Sequence, residues 1–181
     1  MFHRFRVARG VAALVLVVVA IVIVGTWARE PVQAVAEWFV GRYGLLGVGI
    51  LVWCIDSFFI HDEPALLMGW IGGLGFFQVW ATASVASILA GLTGWALGGL
   101  LGPWPPVAAL LDRTQVRGLF ERYGGRAVAM GAIGPVPYSL TTWAAGAAQV
   151  PAREVLLGCL FRVPKLGFLL SVIAFGWSAT G

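Results

Sequence analysis

The chain has 181 residues, 60% hydrophobic and only 11% charged, with a mean hydropathy of +0.90 and a formal net charge of +4. So little charge cannot solvate the surface of a soluble domain of this length, which excludes that class and points to an integral membrane protein of one domain. The positive balance is no nucleic-acid signal: the arginines are spread along the chain and bracket apolar runs, where phosphates of the cytoplasmic leaflet are their expected partners.

Arg4, Arg6 and Arg9 precede an unbroken apolar run over 11–24, which with its flanks to Trp27 reaches the roughly 18 to 20 residues that cross a bilayer. A cleaved signal peptide is the rival reading, with Thr26-Trp27-Ala28 as a weak cleavage site. The length of the run and the anchoring pair Trp27 and Arg29 favour an uncleaved transmembrane helix over 1–27. The three arginines place its N-terminus in the cytoplasm. Residues 28–42 mix Arg29, Glu30, Glu37 and Arg42 with Trp38 and Phe39, the pattern of a short amphipathic helix at the outer interface.

Residues 44–60 are apolar except for Asp56 and Ser57, and end abruptly in His61-Asp62-Glu63-Pro64. Apolar sequence resumes at once. The charged quartet is either a loop that has crossed the membrane or the tip of a re-entrant hairpin that turns inside it. The second arm, 65–75, is too short to span alone and carries four glycines, which favours the hairpin. Residues 76–101 then make a full-length span. Thr82, Ala86, Ala90, Gly94, Gly98 and Gly102 form a row of small residues four apart, which predicts a closely packed central helix.

Gly102-Pro103-Trp104-Pro105-Pro106 ends that helix, and 107–126 reads as a second interfacial amphipathic helix, net positive and therefore cytoplasmic. Residues 127–150 carry no charge. They form either one kinked span or a second hairpin with Gly134-Pro135-Val136-Pro137 at its tip, and two prolines two apart stop a helix more firmly than one. The last span, 155–177, contains Arg162, Pro164 and Lys165 in its first half.

Two stretches share one spacing: Pro64, Leu67, Trp70, Gly73 and Pro137, Leu140, Trp143, Gly146. Upstream of each lies a second match, Arg42-Tyr43-Gly44 and Arg122-Tyr123-Gly124. Such internal similarity, around paired broken apolar segments, is the sequence-level pointer to a repeat and to a binding site in a membrane protein. With both hairpins re-entrant, the arginines at 4, 6, 9, 113, 117, 122, 126 and 153 lie inside and those at 29 and 42 outside, a positive-inside bias. The expected fold is all-α and integral to the membrane: an N-terminal transmembrane helix over 1–27, then one membrane domain over 28–181. That domain is an inverted repeat of interfacial helix, re-entrant hairpin and transmembrane helix, with copies over about 38–101 and 107–177.

Leu119-Phe120-Glu121-Arg122-Tyr123-Gly124-Gly125, Gly134-Pro135-Val136-Pro137-Tyr138, Ala144-Ala145-Gly146 and Arg162 together resemble the DedA family of VTT-domain (SNARE-associated Golgi protein-like) membrane proteins, nearest its YqaA-like branch. The glycine-rich stretch from Gly94 to Gly102 and the acidic Glu63 before Leu66-Leu67 are similar to that family as well, and the likeness covers about 40–177. It implies two opposed re-entrant hairpins and residence in a bacterial or archaeal inner membrane. It also implies lipid transport, by scrambling phospholipid or flipping a polyprenyl-phosphate carrier, with a proton or sodium as possible coupling ion. The best-studied branch has arginines flanking the second turn where this chain has Ala132 and Tyr138, which leaves the carrier lipid open.

Asp56, Asp62 and Glu63 are the leading candidates for function, because a carboxylate at membrane depth is costly and is partnered or functional; solvated loop charges are the alternative. His61 could share a proton with them. Arg162 and Lys165, three apart on one helical face, either snorkel to the interface or face the hairpins, neutralising the acids or holding a lipid phosphate. Tyr138, Ser139, Thr141 and Thr142 either line a polar groove or bond to backbone at the broken helix ends. Pro64, Gly134, Pro135 and Pro137 are the expected hairpin tips. Cys54 and Cys159 read as small buried hydrophobes, and no disulfide framework, metal spacing, cofactor motif or catalytic constellation is present. The expectation is a non-enzymatic lipid transporter with membrane lipids as its partners and no nucleic-acid partner; a coupled transporter of a small soluble solute using the same site is the alternative.

Overall fold

The computed structural model describes residues 29–58, 63–106, 108–109, 116–134 and 137–179. The expected helix over 1–27, together with His61, Asp62 and Pro135, lies outside them. The elements are α1 (Arg29–Phe58), α2 (Glu63–Ile71), α3 (Phe76–Leu101), α4 (Val116–Tyr123), α5 (Arg126–Ile133), α6 (Tyr138–Ala147), α7 (Ala152–Cys159) and α8 (Arg162–Ala179). Among the described residues there is no strand. Three segments, Arg29–Phe58, Phe76–Leu101 and Ala152–Ser178, are long and apolar enough to cross a membrane, as the composition requires. The last contains α7 and α8, joined through a turn at Leu160 and Phe161.

The breaks between helices follow from particular residues. α1 kinks at Gly44, whose φ of 56° and ψ of −151° interrupt the helix where its amphipathic part gives way to its apolar part. Gly124, with the same φ of 56°, separates α4 from α5, so the second amphipathic segment stops short of Arg126. The two Arg-Tyr-Gly matches therefore share a glycine at positive φ as well as a sequence. α2 and α6, the arms that follow Pro64 and Pro137, also end alike. In α2 the amide of Gly73 donates to the Trp70 carbonyl and that of Leu74 to Gly69. In α6 the amide of Gln149 donates to Gly146 and that of Val150 to Ala145. Both are Schellman motifs, with Gly73 at φ 90° and Gln149 at φ 53° in the left-handed position.

The glycines of the shared spacing nevertheless do different work. Gly73 is the left-handed residue that ends α2. Gly146 lies inside α6 as a contact point, because the left-handed role has passed three residues on to Gln149. The second arm is thus about one helical turn longer than the first.

α3 is the hub, touching α1, α2, α6, α7 and α8. Its small-residue row serves two partners. Thr82 faces Gly49 of α1, while Gly94, Gly98 and Gly102 face Thr142, Trp143 and Ala147 of α6. A Cβ at Gly98 would run into the Trp143 carbonyl, and one at Gly146 into the Trp95 carbonyl, so the two backbones cross at a distance only glycine permits. Two apolar cores result. One joins α1, α2 and α3 to Leu166, Leu170 and Ile173 of α8; the other joins α5, α6 and α7 to Ile88, Leu92 and Trp95 of α3. Each arm packs on the long helix of the other half, α2 on α8 and α6 on α3.

Candidate functional site

The two cores meet at a cluster of polar groups supplied mostly by helix ends. Asp56 lies in the last turn of α1 and Arg162 opens α8, after the turn at Leu160 and Phe161. Pro164 accounts for that turn: it has no amide to offer the Leu160 carbonyl and would clash with it in a continuous helix. Val163 takes its place, donating to Leu160 at 3.1 Å. A carboxylate at a helix C-terminus and a guanidinium at a helix N-terminus both oppose the helix dipole. Neither placement is favoured alone, and each group compensates the other.

Arg162 Nη2 donates to Asp56 Oδ1 at 2.6 Å, and Arg162 Nε donates to Ser87 Oγ at 3.1 Å. The Ser87 hydroxyl in turn donates to Asp56 Oδ2 in a short hydrogen bond. Asp56 is 4% exposed and Arg162 2%. Burial of two full charges is tolerated because they pair with each other and share the Ser87 hydroxyl, the condition under which a buried ion pair survives. The guanidinium carbon also stands 4.6 Å from the centre of the Tyr138 ring, within cation–π range. The Tyr138 hydroxyl donates to the Ser87 carbonyl at 3.2 Å. Gly91, one turn along α3, makes room: a Cβ there would collide with the Tyr138 oxygen and the Cys159 sulfur.

Of the residues the sequence singles out, the structure brings Asp56, Arg162 and Tyr138 together. Arg162 does not snorkel, since it is buried against Asp56. Lys165 is half-buried, one turn further along α8. Glu63 opens α2, its side chain lying outside the described part, and Pro64 follows it on an exposed surface. Gly134 caps the end of α5 and Pro137 the start of α6, so the expected second tip is a helix break. Thr141 and Thr142 are fully buried and donate to the Tyr138 and Ser139 carbonyls at 2.7 and 2.9 Å. They bond to backbone at the broken helix end and do not line a groove. Cys159 is buried, as expected; Cys54 is half-buried.

Ser87, Gly91 and the contact of Cys159 with Tyr138 are not legible as site residues from the sequence, because α3 reads as a plain apolar span. The available signal was Ser84 and Ser87, two hydroxyls three apart on the helix that also carries the small-residue row. Ser57, next to Asp56, and Ser84, one turn before Ser87, have buried hydroxyls with no hydrogen-bond partner among the described residues. Also among the described residues, no group of three or more His, Cys, Asp or Glu side chains could hold a metal ion.

Comparison with protein-family models, curated proteins and solved structures finds no match for this chain. Its functional reading therefore rests on the site. A guanidinium whose Nε–Nη2 edge is held by two oxygens is arranged to receive a phosphate there, and a carboxylate so placed is the group whose protonation would release that edge.

Proposed function

We propose that the chain is a lipid transporter of the DedA type, resident in a bacterial or archaeal inner membrane with its N-terminus in the cytoplasm. The observation that carries this reading is the buried Asp56–Arg162 pair, bridged by Ser87, where the ends of broken helices converge inside an apolar bundle. An ion pair buried in a membrane is costly and marks a pathway for a charged group. Asp56 and Ser87 occupy the Nε–Nη2 edge of Arg162 that a lipid phosphate would take. Displacing Asp56, or neutralising it with a proton, frees the guanidinium for that phosphate while the acyl tails remain in the bilayer. The buried hydroxyls of Ser57 and Ser84 offer polar partners during the exchange.

The repeated backbone features support an inverted repeat of interfacial helix, re-entrant hairpin and span: glycine at φ 56° after each Arg-Tyr, an arm after each proline, and a Schellman end on each arm. At 1.5 Å per residue, Asp56 lies about 18 Å past Gly44 and Ser87 about 16 Å past Phe76, and Arg162 is bonded to both. With those two starts at the membrane surface, all three groups stand near the middle of a hydrocarbon core about 30 Å thick.

Reconstitution into liposomes containing a fluorescent phospholipid tests the reading. Protein-dependent exchange of the reporter between leaflets is expected. Exchange no faster than in protein-free vesicles, across phosphatidylglycerol, phosphatidylethanolamine and polyprenyl-phosphate reporters, would overturn it.

A further inference from the structure

A second charged place lies between α5 and α7. A pocket of about 380 Å³ is lined by Tyr123, Gly125, Arg126, Glu154, Leu157 and Phe161, among others. Arg126 and Glu154 are both exposed, and among the described residues neither side chain makes an ion pair or a hydrogen bond, with the other or with a third group. Glu154 rests against Gly125, where any Cβ would collide with its carboxylate. Below the charges the wall is apolar: Leu157 of α7 and Phe161 of the turn after it are both exposed. These residues begin the candidate span Ala152–Ser178, and the residue after Phe161 is Arg162.

A cation and an anion that share a pocket without pairing, above an apolar wall at the charged end of a span, match a headgroup of both signs. An arginine receives a phosphodiester, and a carboxylate receives a primary ammonium. A headgroup with phosphate alone would meet Glu154 as a like charge. We infer that this pocket docks an aminophospholipid at the membrane surface, its phosphate on Arg126, its ammonium on Glu154 and its tails along Leu157 and Phe161. Glu154 precedes Arg162 by eight residues, through the end of α7 and the turn at Leu160 and Phe161. The site rests on the lipid-transport reading for its purpose, the loading of the central Asp56–Arg162 pair, but not for its binding chemistry.

The test uses the full chain in phosphatidylcholine vesicles with a trace of phosphatidylethanolamine bearing a photoactivatable group on its acyl chain. Mass spectrometry locates the labelled peptides. Labelling over 154–161 is expected, competed by unlabelled phosphatidylethanolamine and not by phosphatidylglycerol at equal mole fraction. Arg126→Gln and Glu154→Gln should each lower it about tenfold, about 1.4 kcal/mol of binding, and Glu154→Gln should let phosphatidylglycerol compete. Equal competition by both lipids in the native chain, or unchanged labelling in both glutamine variants, overturns the site. Lipid exchange read on the same vesicles separates the two ideas. Specific labelling without exchange overturns the transporter reading and leaves the docking site standing. Exchange with labelling indifferent to Arg126 and Glu154 does the reverse.

Discussion

Replacing Asp56 by Asn removes one charge and keeps the shape, depriving the buried Arg162 of the carboxylate 2.6 Å from its Nη2. The charge centres of the pair lie about 4 Å apart, where two unit charges at an effective dielectric of about 20 attract by about 4 kcal/mol. That agrees with the roughly 3–5 kcal/mol lost when one partner of a buried pair is removed. Burial to 4% and 2% exposure means that solvent cannot screen the loss. Arg162→Met strands the carboxylate in the same way. The double variant Asp56→Asn, Arg162→Met leaves no uncompensated charge, because the asparagine can still accept from Ser87, so it should recover most of either loss. The two single variants should each unfold about 8–16 °C below the native chain, and the double variant within about 4 °C of it, at 2–4 °C per kcal/mol for a chain of this size. Thermal unfolding in one detergent gives the three shifts, and the cycle gives a coupling of about 6–7 kcal/mol, the two single losses less the double one. Single losses below about 1 kcal/mol that simply add in the double variant would show that the pair does not hold the helix ends together.

Gly98→Ala and Gly146→Ala each place a methyl group against a carbonyl of the facing helix and should cost about 1–3 kcal/mol as overpacking. Gly99→Ala, whose Cβ would stand 3.6 Å from the Gly146 carbonyl, should be nearly neutral in the same melts. Gln149→Gly should stabilise by about 0.5–1 kcal/mol because it relieves a side chain held at φ 53°, while Gly73→Ala at φ 90° should destabilise by about 1 kcal/mol. Single cysteines placed at 60–64 and at 134–138, in a chain without its two native ones, should resist impermeant thiol reagents from both sides of the membrane. Rapid labelling of the first set from inside, or of the second from outside, would mean that those segments cross fully.

Much of this fold is written locally. Pro64, Pro137, Gly44 and Gly124 break helices where their backbone chemistry says they must, and the long apolar runs leave few alternatives to membrane spans. Asp56 and Arg162 were each visible as anomalies, since charges are expensive within apolar sequence. Their pairing was legible only as one alternative, with three acids and two cations to choose among, because 106 residues separate Asp56 from Arg162 and nothing in either neighbourhood names the other. Ser87 and Gly91 were hidden for a different reason: a serine and a glycine in a helix rich in small residues carry no distinguishing pattern until Arg162, Tyr138 and Cys159 are placed beside them. Gly146 shows the converse. Its spacing matches Gly73, yet a three-residue shift of the helix end gave the left-handed role to Gln149, and a side chain that tolerates φ 53° left no glycine to signal it.

The double variant Asp56→Asn, Arg162→Met also allows the central claim to be tested apart from stability. Reconstituted beside the native chain in liposomes with a fluorescent phospholipid, and matched for folded, inserted protein, it should exchange lipid at least tenfold more slowly, since it keeps the bundle and loses the phosphate-receiving cation. Equal exchange by the two proteins would contradict the account.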